Sequence, residues 1–161
     1  MAPALRLLTP ARLGPIELQN RVVKAATYES RTRDGLVTGD LIAWHRELAA
    51  GDVAMTTLAY CAVSADGRSI PHQIRLREEA KPGLTRFCAA MHLEGAAAAI
   101  QLGHAGRLAN PLVTGTQPIG PSRRYGWQTK HVVSSRWGAL AVARTLEADG
   151  TVDALSSPPA T

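Results

Sequence analysis

Aromatic residues are scarce in this chain: three Trp, three Tyr and one Phe among 161 residues. A surface that stacks nucleic-acid bases interleaves aromatics with basic side chains, and no such stretch exists here although the net charge is +5. The arginines are scattered, so no nucleic-acid partner is expected. Cysteine is equally sparse. Cys61 and Cys88 stand far apart and outside any C-x-x-C pattern, which argues against a zinc ribbon or a disulfide framework and predicts two reduced, buried thiols. No second histidine lies at ligand spacing from His104, so no metal site is expected. No apolar run reaches the roughly 18 to 20 residues that cross a bilayer, and the N-terminus lacks the apolar core of a secretory signal. The expectation is a cytoplasmic protein with no membrane partner. Both glycine-rich phosphate cradles, G-x-x-x-x-G-K-S/T and a post-strand G-x-G-x-x-G, are missing too.

What is present is a 45% hydrophobic composition, sufficient for a core, laid out as strand and helix patterns in alternation. Leu5 to Leu18, punctuated by Thr9-Pro10 and Gly14-Pro15, reads as a small hairpin. Val22 to Ala26 reads as a strand. Thr38-Gly39-Asp40 then leads into Leu41, Ile42, Trp44, His45, Leu48 and Ala49, an apolar helical stripe that Gly51 ends. Val53 to Tyr60 reads as a second strand and Cys61 to Lys81 as a loop. Pro82 to about Glu94 forms a second helix with Gly95 as its stop, and Ala96 to Gln101 a third strand. The order β, α, β, α, β predicts an α/β fold with a parallel sheet and right-handed crossovers. Gly103 to Ser135 is rich in Gly, Pro and Arg, without period, and reads as a long loop. Helical character returns over Trp137 to Ala148, and Val152 to Leu155 reads as a short strand before the Ser156-Ser157-Pro158-Pro159 tail.

The chemistry-bearing residues gather where strands end. Ala96 to Ile100 is apolar, and Gln101, Gly103, His104, Gly106 and Arg107 follow at once; Asn20 to Tyr28 repeats that layout with hydroxyls at Thr27 and Tyr28. Polar groups at the C-terminal tips of parallel strands are how α/β proteins build a ligand site. His104 and Arg107 admit two readings: as donors to a ligand, or as pins that tie the following loop by hydrogen bonds and ion pairs.

These residues resemble the Old Yellow Enzyme family of FMN-dependent NAD(P)H oxidoreductases and ene-reductases. The likeness is carried by Leu7-Leu8-Thr9-Pro10-Ala11-Arg12-Leu13-Gly14, Asn20-Arg21, Ala62-Val63-Ser64-Ala65-Asp66-Gly67-Arg68, Gln101 to Arg107, and Gly120-Pro121-Ser122. It implies a partial TIM (β/α)8 barrel with an N-terminal hairpin. A full barrel takes about 250 residues, so the barrel is not complete in this chain. It further implies FMN as cofactor, NADH or NADPH as hydride donor, and a small-molecule substrate, an activated alkene. Ala25, Ala26, Thr27, Tyr60 and Gln101 fall at cofactor-binding positions and Tyr28 at a substrate-binding one. Thr27 would accept a hydrogen bond near the reactive nitrogen, and Gln101 would match the flavin pyrimidine edge. The family has Pro where Ala26 stands and a small residue where Tyr60 stands, so Tyr60 either stacks on the ring or obstructs it.

The family's catalytic histidine pair, which holds the substrate oxygen, has no counterpart in this sequence, and the catalytic residues are therefore unassigned. Residues 1–134 are expected to form the N-terminal part of an FMN-binding barrel. Residues 135–161 resemble a helix and strand from a later repeat, which suggests an internal deletion or a gene fragment. On that reading FMN binding is weak and turnover impaired. The alternative is a non-catalytic barrel fragment that associates with another chain, including a second copy, through open sheet edges.

Overall fold

The computed structural model describes residues 6–120, 124–126 and 131–135. β1 (Ala11–Leu13) and β2 (Ile16–Leu18) form the expected antiparallel hairpin, with Ala11 opposite Leu18 and Leu13 opposite Ile16. Gly14 takes a positive φ of 56° at the turn, a conformation open to glycine at little steric cost.

A parallel sheet follows, built from β3 (Val23–Lys24), β4 (Met55–Ala62), β5 (Ile74–Arg75) and β6 (Ala97–Gly103). β4 is central. Along one edge it pairs with β6 from Met55 to Ala62. Along the other it meets β3 at Met55 and Thr56, then β5 at Cys61 and Ala62. Helix α1 (Gly39–Ala50) starts where the Thr38 hydroxyl accepts the Leu41 N–H at 3.1 Å, and it buries Leu41, His45 and Ala49 at every fourth position. Helix α2 (Lys81–Leu93) carries Pro82 in its first turn and buries Gly83, Phe87 and Met91 with the same spacing. Gly95, at φ 75°, turns the chain from α2 into β6. Both helices cover one face of the sheet. Between them and β4 lies a core of Val37, Leu41, Ala49, Leu58, Cys61, Ile74, Phe87, Met91 and Ala96.

Three expectations change. The first strand covers only Val23–Lys24 rather than Val22 to Ala26: its ladder with β4 stops at Thr56, β5 joins that edge only from Cys61, and Ala25 to Tyr28 stand outside the ladder. The Cys61 to Lys81 loop supplies β5 and a 3-10 turn at Glu78–Ala80. The Gly103 to Ser135 segment is not a plain loop. It contains helix α3 (Pro111–Thr114), capped by the Asn110 side chain, then β7 (Ile119–Gly120), β8 (Arg124–Gly126) and β9 (His131–Ser135), with β9 parallel to β7 and antiparallel to β8. Elements of two to five residues are too short to display a period. The expected helix at Trp137 to Ala148 and strand at Val152 to Leu155 lie outside the described residues, as do Pro121 and Ser122. Cys61 is buried as expected and Cys88 half-buried, and both are free thiols.

The core also holds an imidazole. His45 is buried against the edge of the Phe87 ring (centroids 5.1 Å apart), and its Nδ1 lies 2.6 Å from the Thr56 hydroxyl. Burial pushes its pKa down to about 4; the Lys24 ammonium adds to the drop and Glu29 opposes it. An unfolded chain takes up this proton near pH 6.5, whereas the folded chain resists it until about pH 4. Stability is therefore expected to fall as pH drops between those values, by on the order of 3 kcal/mol from this group. Urea titrations at pH 7 and pH 4.5 check this, and His45→Gln should flatten the dependence.

Candidate functional site

The face of the sheet away from the helices is open among the described residues. On β6, Ala98, Ile100 and Leu102 pack toward the core, so alternation sends Ala99, Gln101 and Gly103 to the other face. On β4 the register with β6 slips by one residue between Leu58 and Cys61: Leu58 pairs Ile100 and Cys61 pairs Leu102, leaving Ala59 and Tyr60 opposite Gln101 alone. This bulge keeps both Leu58 and Cys61 fully buried although they are three residues apart, and it directs Tyr60 outward, 38% exposed. The Ala59–Tyr60 peptide bond is cis.

Tyr28 completes the wall. Its ring lies nearly parallel to that of Tyr60, 10° apart in plane with centroids 6.4 Å apart, and its hydroxyl donates to the Pro71 carbonyl at 3.1 Å. Gln101 is exposed beside Tyr60, and its carboxamide makes no hydrogen bond to any described residue. A Cβ built on Gly103 would meet nothing within 4 Å, so the space above the β6 tip is clear. The strand tips thus bring Tyr28, Tyr60 and Gln101 together. Ala25 and Thr27 are exposed at the end of β3, and Ala26 is half-buried.

Beneath this wall lies a charged cluster the sequence reading did not single out. Lys24 and Glu29 form an ion pair with side chains only 11% and 5% exposed. The Lys24 ammonium also donates to the Thr57 carbonyl at 3.2 Å and sits 5.1 Å from the centroid of the Trp44 ring. The Thr27 hydroxyl donates to Glu29 Oε1 at 2.7 Å, while Glu29 Oε2 and His45 Nε2, 4.0 Å apart, are both buried without a hydrogen-bond partner. The signal was available: a lysine inside the apolar run Val22 to Ala26 must either leave the strand or find a buried anion.

His104 and Arg107 divide. His104 Nδ1 accepts the Gly106 N–H at 2.9 Å and its Nε2 faces Asp66 Oδ1 at 3.6 Å, which clasps the loop after β4 to the loop after β6. The Ser64 hydroxyl, donating at 2.5 Å, is the main cause that holds the Asp66 carboxyl below its ordinary range; partial burial opposes it and His104 contributes. Arg107 is exposed and makes no side-chain hydrogen bond or ion pair among the described residues. At the opposite, N-terminal end of the strands, a groove of about 670 Å³ runs between the hairpin and Gly95. Its arginines are engaged internally, Arg12 with the Gly14 carbonyl and Arg21 with Thr9 and Pro10.

Residues 6–138 match the model of the NADH:flavin oxidoreductase / NADH oxidase family. The chain belongs to that family. It is 51% identical over 123 residues to the 4,4'-dithiodibutanoate disulfide reductase of Rhodococcus erythropolis, covering 76% of this chain and 30% of that protein. An NADPH dehydrogenase of Listeria monocytogenes serotype 4a (strain HCC23) is 34% identical over 107 residues, 65% of this chain and 32% of its own length. Among solved structures, morphinone reductase in complex with tetrahydroNAD superposes with a TM-score of 0.74 at 22% identity, over 88% of this chain and 43% of that one. The Old Yellow Enzyme homologue of Zymomonas mobilis gives 0.73 at 22%, over 89% and 42%. The chain spans about a third of the length of these curated relatives. The fold is accordingly a partial TIM barrel, and no closed barrel forms among the described residues.

The family motif Ala62 to Arg68 owes its glycine to the clasp. A Cβ on Gly67 would stand 2.7 Å from His104 Cδ2. Gly67→Ala should push the imidazole off Gly106 and Asp66 and lower stability by about 1–3 kcal/mol. Urea denaturation with the His104 ring signals followed by NMR checks it; an unmoved ring would contradict the clasp.

Proposed function

We propose that the open wall of Tyr28, Tyr60 and Gln101 is one side of an FMN site, in an NAD(P)H-dependent oxidoreductase of the Old Yellow Enzyme type. The observation that carries this reading is the pairing of an exposed, unpartnered carboxamide with a flat aromatic ring at adjacent strand tips, above clear space at Gly103. Those features fit an isoalloxazine: the Tyr60 face offers stacking area, and Gln101 offers a donor and an acceptor to the alternating N–H and C=O groups of the pyrimidine edge. Ala25 and Ala26 leave room at the end of β3. When bound, FMN would supply the hydride relay between NAD(P)H and a second substrate. The residues here bind and orient it, and the substrate-activating acid and much of the phosphate site belong to parts of the family barrel beyond this stretch.

The second substrate has two readings. An activated alkene follows from the Old Yellow Enzyme likeness. A small organic disulfide is favoured by the 51% identity to the Rhodococcus disulfide reductase; there, NAD(P)H and one proton would reduce one S–S bond to two thiols. No helix among the described residues is long and apolar enough to cross a membrane, and small molecules are the partners proposed.

Titration of FMN with the chain, followed by quenching of flavin fluorescence, tests the wall directly. Saturable quenching is expected, with Gln101→Ala weakening binding by about five- to tenfold, the equivalent of one neutral hydrogen bond. Unquenched flavin at saturating protein, together with a polydisperse elution profile, would instead favour the non-catalytic fragment that associates through its sheet edges.

A further inference from the structure

Residues 25–28 leave the sheet, and among the described residues they make no backbone–backbone hydrogen bond. Tyr28 nevertheless stands in one defined place, its ring nearly parallel to that of Tyr60 with centroids 6.4 Å apart. A chain released from its ladder needs other bonds to hold such a geometry, because conformational entropy favours its release. The bond from the Tyr28 hydroxyl to the Pro71 carbonyl, at 3.1 Å, fixes only the far end of the ring, and Pro71 is itself an exposed loop residue. A stronger tie lies at the base. Lys24 is the last residue of β3 and Glu29 follows Tyr28 directly; their side chains, 11% and 5% exposed, form an ion pair that closes residues 25–28 into a loop. Inside that loop the Thr27 hydroxyl donates to the same Glu29 Oε1 at 2.7 Å. The lysine end is anchored to rigid elements, the Thr57 carbonyl of β4 at 3.2 Å and the Trp44 ring of α1, whose centroid is 5.1 Å from the ammonium.

We propose that the Lys24–Glu29 pair is a clip that holds Tyr28 against Tyr60, and that Glu29 is thereby a positioning residue for a ligand bound on the wall. The ligand, FMN, rests on the flavin reading above; the clip rests on the loop contacts alone. A buried ion pair contributes little net stability, because the cost of taking two charges out of water offsets their attraction, and its best-attested use is to select one arrangement over others. Here the arrangement selected is that of the side chain next to Glu29 in sequence. With the clip closed, the two-ring wall is set before the ligand arrives. With it open, binding must also order residues 25–28 and the tyrosine, which weakens affinity although no group of the wall has been removed.

The test replaces the pair by Lys24→Met/Glu29→Met, two flexible apolar side chains of similar length. Nuclear Overhauser contacts between the Tyr28 and Tyr60 rings are recorded in the chain without ligand. FMN affinity is measured by fluorescence quenching in the wild type, the double variant, Tyr28→Leu and the triple variant. The inter-ring contact should vanish in the double variant. FMN binding should weaken about fivefold when the pair is replaced in the wild-type background, and by under about twofold in the Tyr28→Leu background, because Glu29 acts through that ring. If the double variant unfolds, Lys24→Met/Glu29→Gln, which keeps an acceptor for the Thr27 hydroxyl, should show the same pattern. A ring contact that persists in either folded variant overturns the clip. An unchanged FMN affinity, or an equal loss in both backgrounds, overturns the positioning role, since a general structural defect ignores Tyr28. A wild-type chain that shows the ring contact but binds no FMN overturns the flavin reading, and the ring contact in the variants then decides the clip by itself.

Discussion

Strand β4 is the constraint on which the rest depends. Every other strand of the parallel sheet pairs with it, and both long helices pack on the side chains it sends to one face. An extended strand alternates its side chains strictly, so three-residue spacing between Leu58 and Cys61 would put one of them on the wrong side. The extra residue in the bulge resolves that conflict. It buries both core residues fully and delivers Tyr60 to the open face opposite Gln101. Core packing and site geometry are thus one local event in the backbone.

The polar cluster under β3 has a similar double character. A lysine and a glutamate taken out of water lose several kcal/mol of solvation each, which only good mutual geometry recovers. Lys24 meets that demand with three different partners: a carboxylate, a carbonyl and an indole face. The buried imidazole of His45 extends the cluster to Thr56 and so ties α1 to the centre of the sheet. A charge network placed there joins the helix layer to the hydroxyl of Thr27 at the strand tips.

Much of this architecture was legible in the residues. The β, α, β, α, β order came from apolar stripes long enough to show a period, and both helix bounds from Thr38, Pro82 and Gly95, whose capping and stop chemistry is local. The gathering of Tyr28, Tyr60 and Gln101 followed from their place at strand ends in a parallel sheet. What escaped was non-local. Val22 to Ala26 has strand composition throughout, but how far a strand runs is set by its pairing with a neighbour distant in sequence, and the ladder of β3 with β4 stops at Thr56. Glu29 stands outside any motif, and only the fold reveals that it answers Lys24. The short strands β7, β8 and β9 have too few residues to announce themselves. The two readings of His104 were separated only by its distances to Gly106 and Asp66, which describe a loop clasp.

The central claim is that the bulged tip of β4 and the tip of β6 form one face that holds an isoalloxazine ring. The most direct measurement is NMR of the isotopically labelled chain during addition of FMN, following the side-chain amide of Gln101 and the ring signals of Tyr60. The account predicts that the two shift together and saturate at one common affinity. Saturable shifts confined to the groove by Arg12 and Arg21 at the other end of the strands, with Gln101 and Tyr60 unmoved, would contradict it.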